Sequence, residues 1–337
     1  MYQNPDTICY QQKNARMVKV VCIIPSALST ESMKSLMDCV QSLRVAQKSV
    51  HLTIHIVTTN QNIKPHTPDL GKIRIYHAKP KSGFGQMNNL VIDKTITQIA
   101  SDYYLFINDD AYVSPSFFKE FSLLLMKDKP DLLNPIIYTP SSDTIDSFGV
   151  EYFRSGYAKN AGEKNIQTTL ATASCLLVKT SFLKKMKKSY GCYFNPILHY
   201  YLEDVEFSIR ALALKGRITK SDRLKAYHIG SHTSQKKSYF TIYHTYRNIL
   251  WVILMTWDTT TVQRNILSIM TVQCWLLFYG TKLFGLGLYP KIYIDTLKHF
   301  KTIMAFRKTI IPNYTETLSK QKLFSKHIFR TGKGMAL

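Results

Sequence analysis

Acidic residues are scarce in this sequence: 22 Asp and Glu stand against 44 Lys and Arg in 337 residues. Such a surplus favours an anionic partner, whether nucleic acid, a phosphorylated substrate or a membrane surface. The lysines are dispersed, and no RRM, KH, zinc-finger or basic-zipper pattern occurs, which sets nucleic acid aside. The six cysteines (Cys9, Cys22, Cys39, Cys175, Cys192, Cys274) form no CxxC pair and no zinc-knuckle spacing. They fit buried free thiols in a reducing compartment. The opening segment "MYQNPDTICYQQKNARM" has no apolar signal core, so a protein that is not exported is expected, in the cytoplasm. Clean apolar runs of the ~20 residues that a spanning helix needs are missing as well. Asp258, Arg264 and Lys282 interrupt the most apolar stretches.

What is present is a composition 45% hydrophobic and 20% charged, enough for a large core and one big domain with an appendage. After a polar lead over 1–17, "VKVVCIIP" (18–25) reads as a strand, and "STESMKSLMDCVQSL" follows with apolar residues at helical spacing. "LTIHIVTT" (52–59) and "KIRIYHA" (72–78) read as further strands. A helix is expected from about Gln86 to Ala100, leading into the strand "YYLFIN". "SPSFFKEFSLLLM" predicts a helix with Ser114 as N-cap and Pro115 at its first position. "LLNPIIY" and "ATASCLLVK" look like strands, "YLEDVEFSIRALALKG" a helix stopped by Gly216, and "RLKAYH" a short strand ending on His228. Near-continuous apolar strands alternating with helices imply an α/β fold whose mostly parallel sheet is covered on both faces. From about Tyr239 the chain turns aromatic, apolar and basic at once. Residues 239–337 read as helices lying on the main domain of 18–238, on a second subunit or on a bilayer surface.

Ligands of open α/β sheets collect at the carboxyl ends of the strands. "FINDDAYV" places Asn108, Asp109 and Asp110 at such an end. Adjacent acids there can simply form a turn; the chemical reading is a divalent cation held by carboxylate oxygen, neutralising a diphosphate. In "HYYLEDVEFSIR", Glu203, Asp204 and Glu206 crowd the first turn of a helix, where the macrodipole stabilises them, and Glu206 can pair with Arg210. "YHIGSHTS" carries His228 and His232, but Gly230 and Ser231 argue against the helix that an HxxxH zinc site needs. "KPKSGFGQMNN" is neither GxGxxG nor GxxxxGK. Its two glycines nevertheless permit close backbone approach to a phosphate, with Lys79 and Lys81 adding charge.

In this order, these pieces resemble the family 2 glycosyltransferases of GT-A (Rossmann-like) fold, notably the rhamnosyltransferase and galactofuranosyltransferase-like branch. The resemblance covers roughly residues 18–250 and rests chiefly on "FINDDA", "LEDVEFSIRA" and "AYHIGSHTS"; "YRNILWVI" is similar to the arginine–asparagine segment that often follows. It implies that Asn108 and Asp110 are the ends of the D-x-D motif, with Asp110 and His228 holding Mn²⁺ or Mg²⁺ and Asp109 near the sugar or ribose. It places Asp204 at the catalytic base. Pro25 and Ser26 fall where the first strand meets the nucleotide, and Gly83, Gly85 and Asn89 on the loop that passes the donor. Lys81 and Asn60 join the donor side, Glu203 and Arg210 the acceptor side. Two departures stand out: Asn108 replaces the first acid, and "IVTTNQ" offers Thr58, Thr59 and Asn60 where the family has an aspartate after its second strand.

The implied activity is an inverting, metal-dependent transfer from a UDP- or dTDP-sugar to a hydroxyl of a saccharide or lipid-linked saccharide, as in cell-envelope polysaccharide synthesis. The expected setting is cytoplasmic, peripheral on the inner face of the membrane, with a homo-oligomer open. The alternative is a catalytically silent relative that binds sugar nucleotides or a partner enzyme.

Overall fold

The computed structural model describes residues 16–63, 73–140, 142, 144–166, 168–230, 238–314 and 323–325. The first strand, β1 (Val18–Pro25), buries Val21 and Ile23 on one face of the sheet and Val20, Cys22 and Ile24 on the other. A strand buried on both faces has no polar side to show, which is why these segments read as unbroken apolar runs. β4 (Tyr103–Ile107) repeats the pattern, β2 (Val50–Thr58) does so along its second half and β3 (Arg74–His77), at the sheet edge, buries only Ile75; β1 pairs in parallel with both β2 and β4.

The remaining strands are β5 (Ala111–Val113), β6 (Leu132–Tyr138), β7 (Ile145–Ser147), β8 (Val150–Tyr152), β9 (Ala158–Asn160), β10 (Cys175–Lys179) and β11 (Ile218–His228). Among the described residues the main sheet runs β3-β2-β1-β4-β10-β6-β11-β5, with β7 on β6 and a separate β8-β9 pair. β10 is antiparallel to both β4 and β6, whereas β11 is parallel to β6 and antiparallel to β5.

One face is covered by α1 (Thr30–Ala46), started by a Ser29/Ser32 capping box, and by α3 (Phe117–Lys127). The other carries α2 (Phe84–Thr95), α4 (Thr180–Tyr190), α5 (Glu203–Ala213) and α6 (Tyr239–Thr256). The expected fold class holds: a mixed α/β sheet, mostly parallel, with helices on both sides and helices at the C-terminal end. The apolar cluster beneath α2 and α5 continues into α6, α7 (Thr259–Phe284) and α8 (Leu288–Tyr314), so the shift in composition after residue 238 is not a break in packing.

Several boundaries differ from expectation. α2 ends at Thr95 instead of Ala100: Ile96 N–H makes the last helical bond, to Ile92, and the chain then turns with Gln98 and Ile99 N–H both on the Thr95 carbonyl. Ser114 and Pro115 do not start α3. They form a turn in which Phe117 N–H donates to the Ser114 carbonyl, and the helix opens at Phe117. β11 is longer than "RLKAYH", with an irregularity between Ser221 and Lys225. Cys22, Cys39, Cys175 and Cys192 are buried free thiols as expected, but Cys274 is exposed on the uncovered side of α7.

The charges taken to break the apolar run of α7 stand at its margins. Asp258 is its N-cap, outside the helix, and Arg264 and Lys282 lie near its ends. By length and composition alone α7 could cross a membrane.

Candidate active site

Sheet topology gathers the site. The parallel strands β1, β2 and β4 end at one edge, bringing Pro25 and Ser26, Asn60 and Asn108–Asp110 to it. β10 runs the other way, so the segment entering it, 171–174, lies at the same edge, and the Ala111–His228 pairing of β5 with β11 adds His228. That entering segment reaches both acidic motifs. Asn108 N–H donates to the Ser174 carbonyl (3.1 Å), and Ala173 N–H donates to Asp204 Oδ2 (3.2 Å). Two consecutive residues thus tie the turn of Asn108–Asp110 to the first turn of α5, which begins almost a hundred residues further along.

At one side of the site Asp110 Oδ1 lies 3.2 Å from His228 Nε2, and His228 Nδ1 lies 3.0 Å from Asp146 Oδ2 on β7. Burial works to lower the His228 pKa, but the two carboxylates outweigh it and push it up to about 10. Held between the two carboxylates, His228 is an imidazolium; once it loses that proton, Nε2 and Asp110 Oδ1 stand side by side as an N,O pair for a divalent cation, with Asp146 fixing the ring's orientation. Among the described residues no group of three or more His, Cys, Asp or Glu is arranged to hold a metal. Asn108 Nδ2 approaches His228 Nε2 at 3.5 Å, while Asp109 turns to the Ser26 hydroxyl. Burial raises the Asp109 pKa to about 6, against the pull of that hydroxyl. His232 lies outside the described residues.

Across the 171–174 segment, Asp204 Oδ1 accepts from Val205 N–H (2.8 Å) and the carboxylate also bonds Thr172. Burial raises its pKa, opposed by these donors and Ala173 N–H, and Asp204 as a residue is half-buried. Glu203 is more enclosed. Its Oε2 has no hydrogen-bond partner, and burial together with the neighbouring Asp204 lifts its pKa to about 8. Raised this far, the carboxyl stays protonated at neutral pH even though it also takes a bond from its own main-chain N–H.

Other residues singled out in the sequence are spread less evenly. Ser26 N–H donates to the Val57 carbonyl, and Asn60 Nδ2 reaches the Leu28 carbonyl (3.5 Å), so the ends of β1 and β2 adjoin. Lys81 is exposed, with a left-handed φ of 65°. Gly83 lies against the His199 main chain, where a Cβ would stand 1.9 Å from the carbonyl oxygen, and Gly85 against Phe194. Asn89 uses both side-chain polar atoms on the Phe194 main chain (2.8 and 2.9 Å), fastening α2 to the segment before α5. The glycines therefore serve chain-to-chain contact in this structure.

Arg210 corrects an expectation. It has no exposed side-chain surface and is committed to Glu206 (2.7 and 2.8 Å) and the Tyr193 carbonyl (2.7 Å), so an acceptor cannot reach it. Asp146, Thr172 and the 171–174 main chain had no signal in the sequence. They lie in its least regular stretch, and pairing across the sheet alone makes them neighbours of His228 and Asp204.

No family model matches this sequence, and no curated protein matches it. Solved structures do match in shape. GalNAc-T7, crystallised with UDP, GalNAc and Mn²⁺, superposes with a TM-score of 0.55 at 14% identity over 73% of this chain and 49% of the other. This chain thus spans about half the length of that one. S. aureus TarS 1–349 superposes with a TM-score of 0.51 at 17% identity over 88% of this chain and 89% of the other, and its complex with UDP-GlcNAc with 0.50 at 18%. The chain has the GT-A-like fold of these structures.

Proposed function

We propose that the protein is a glycosyltransferase that moves a sugar from a UDP- or dTDP-sugar to a hydroxyl of a saccharide or lipid-linked saccharide, with inversion at the anomeric carbon. One observation carries the reading: the Asn108 amide and the Asp204 carboxylate bond to consecutive residues, Ser174 and Ala173, so that Asp110–His228 and Asp204 share one edge of the sheet. The structures of like fold with UDP or UDP-GlcNAc bound are consistent with a nucleotide-sugar donor.

The donor's nucleotide lies along the ends of β1 and β2, by Ser26, Asn60 and Asp109, with Lys81 beside its phosphates. Asp110 and His228 would hold Mn²⁺ or Mg²⁺, whose charge, when bound, offsets that developing on the leaving diphosphate. The acceptor hydroxyl gives its proton to Asp204 as its oxygen bonds the anomeric carbon and the carbon–diphosphate bond breaks. A carboxylate with a raised pKa is the stronger base for this step. One displacement without an enzyme nucleophile inverts the centre. Glu203, buried beside Asp204 and protonated, adds no second negative charge to the acceptor side.

The test is a panel of UDP- and dTDP-sugars with Mn²⁺, scored by thermal shift and by release of nucleoside diphosphate. Asp204→Asn should cut turnover by about 10²–10⁴-fold, the usual contribution of a general base, with donor binding retained. Asp110→Ala should remove the metal-dependent part of donor binding. Binding without diphosphate release from any donor would identify a silent sugar-nucleotide-binding relative instead.

The bare face of α7 is read as a contact with an anionic membrane, where a lipid-linked acceptor would lie. Leu267, Met270, Cys274, Leu277 and Phe278 are exposed and recur at helical spacing along α7, an apolar stripe that the protein leaves bare. The net charge of +22 favours anionic headgroups beside it.

A further inference from the structure

We propose that Asn248, backed by Arg247, is a positioning residue that holds the chain before α5 in a left-handed course and so aims Glu203 and Asp204 into the site. This rests on Asp204 being the base of the reaction above. The chain entering α5 is strained: His199, Tyr201 and Leu202 have φ of 67°, 68° and 60°, a region that residues with a Cβ avoid. Such a course persists only where surrounding structure over-determines it.

A local cap does not provide that. The N-cap position of α5 is Leu202, and no side chain caps the helix. Support comes instead from α6. The Asn248 side chain is fully buried, and its Nδ2 lies 2.8 Å from the Leu198 carbonyl, 2.7 Å from that of Tyr200 and 2.8 Å from that of Tyr201. Three carbonyls from four consecutive residues face one amide only if the chain coils around it. Arg247 locks the amide's orientation: Nε and Nη2 donate to Asn248 Oδ1 (3.0 and 2.9 Å), and Nη2 also donates to the Leu198 carbonyl (3.0 Å). The guanidinium in turn lies over the Trp251 ring, 4.2 Å from its centre.

The held segment also meets the donor loop. The Tyr200 hydroxyl donates to the Ser82 carbonyl (3.1 Å), and the His199 main chain fills the space beside Gly83. Asn248 therefore sets the base and the loop 79–83 relative to each other without touching either substrate.

The experiment compares wild type, N248A and N248S, the last being milder because serine keeps one donor. Amide hydrogen exchange is followed over 199–206, and turnover of UDP-GlcNAc with Mn²⁺, or of the fastest donor in the panel, is measured against pH. N248A is expected to speed exchange at 199–206 at least tenfold with β1 and β4 unchanged. It should also lower kcat at least tenfold and shift the acid limb of the kcat–pH profile. N248S should fall between the two, and it replaces N248A if that variant does not fold. Unchanged exchange at 199–206 would overturn the clamp. Faster exchange with unchanged kcat and pH profile would overturn its positioning role. If wild type turns over no donor, the glycosyltransferase reading and the positioning role fail together, while exchange still decides the clamp.

Discussion

Glu203 is a protonated carboxyl inside an acidic turn, and its linkage to folding has a definite sign. Its folded pKa, lifted by burial and Asp204 to about 8, lies above the unfolded value of a glutamate, ~4.3. Between those two values the folded state binds the extra proton, so stability falls as pH rises through that window and levels off above it. The slope is at most roughly 1.4 kcal/mol per pH unit from one group. Glu203→Gln should make the fall in melting temperature between pH 5 and 8 shallower, with the parts due to Asp109 and His228 remaining, and leave the variant more stable than wild type at pH 8. Parallel melting curves across that range would refute the assignment. At the other side of the site Asp146 holds the His228 ring, and outer-shell carboxylates of this kind are typically worth 10–100-fold in metal affinity. Asp146→Ala should weaken Mn²⁺ by about that factor in a thermal-shift titration, and unaltered affinity would remove Asp146 from the site.

At the scale of elements, the contacts that matter run between helix starts. Gly83, the N-cap of α2, packs against the chain that leads into α5 so closely that no side chain fits between them. Gly83→Ala would drive a Cβ into the His199 carbonyl, and backbone on both sides leaves little room to relax. We expect a loss of stability on the order of 2 kcal/mol, read as a lower urea midpoint, because overpacking against main chain is among the costlier single changes. Gly191→Ala is the matched control. Its Cβ would meet nothing within 4 Å, so only its φ of 74° opposes the change and the loss should be smaller. Gly83 itself has φ −82°, open to any residue, so its loss comes from the contact alone; an unchanged urea midpoint for Gly83→Ala would show that the His199 main chain yields. The Glu206–Arg210 pair, buried completely at the middle of α5, anchors the same helix to the Tyr193 main chain. Its interior place is why it reads as a helix-surface pair in sequence and not in structure.

For the whole molecule, the surplus of basic residues and the bare faces of α7 and α8 make one prediction. Leu267, Phe278 and Leu297 are 78%, 72% and 73% exposed, values unusual for large apolar side chains unless something covers them. The protein should float with phosphatidylglycerol vesicles, much less with phosphatidylcholine vesicles, and be released in part by 1 M salt, where the Debye length falls to ~3 Å. Leu267→Glu with Phe278→Glu should abolish flotation and leave donor binding intact. If wild type stays with the dense fraction while a dimer seen by light scattering disappears in the same double variant, the face is a subunit contact instead.

Periodicity and composition by themselves determined the α/β class and most strands, since a strand buried on both faces must be apolar throughout and says so locally. They also located Asp110, Asp204 and His228 as the ends of elements, where polar residues interrupt apolar runs. They could not say that α5 would be held by an amide forty-four positions beyond Asp204, that Asp146 would stand behind His228, or that Arg210 would be sealed in the interior. Those facts depend on which strands pair and which faces meet. Contacts between residues far apart in the chain leave no periodic trace within either partner, so only the tertiary structure decided them.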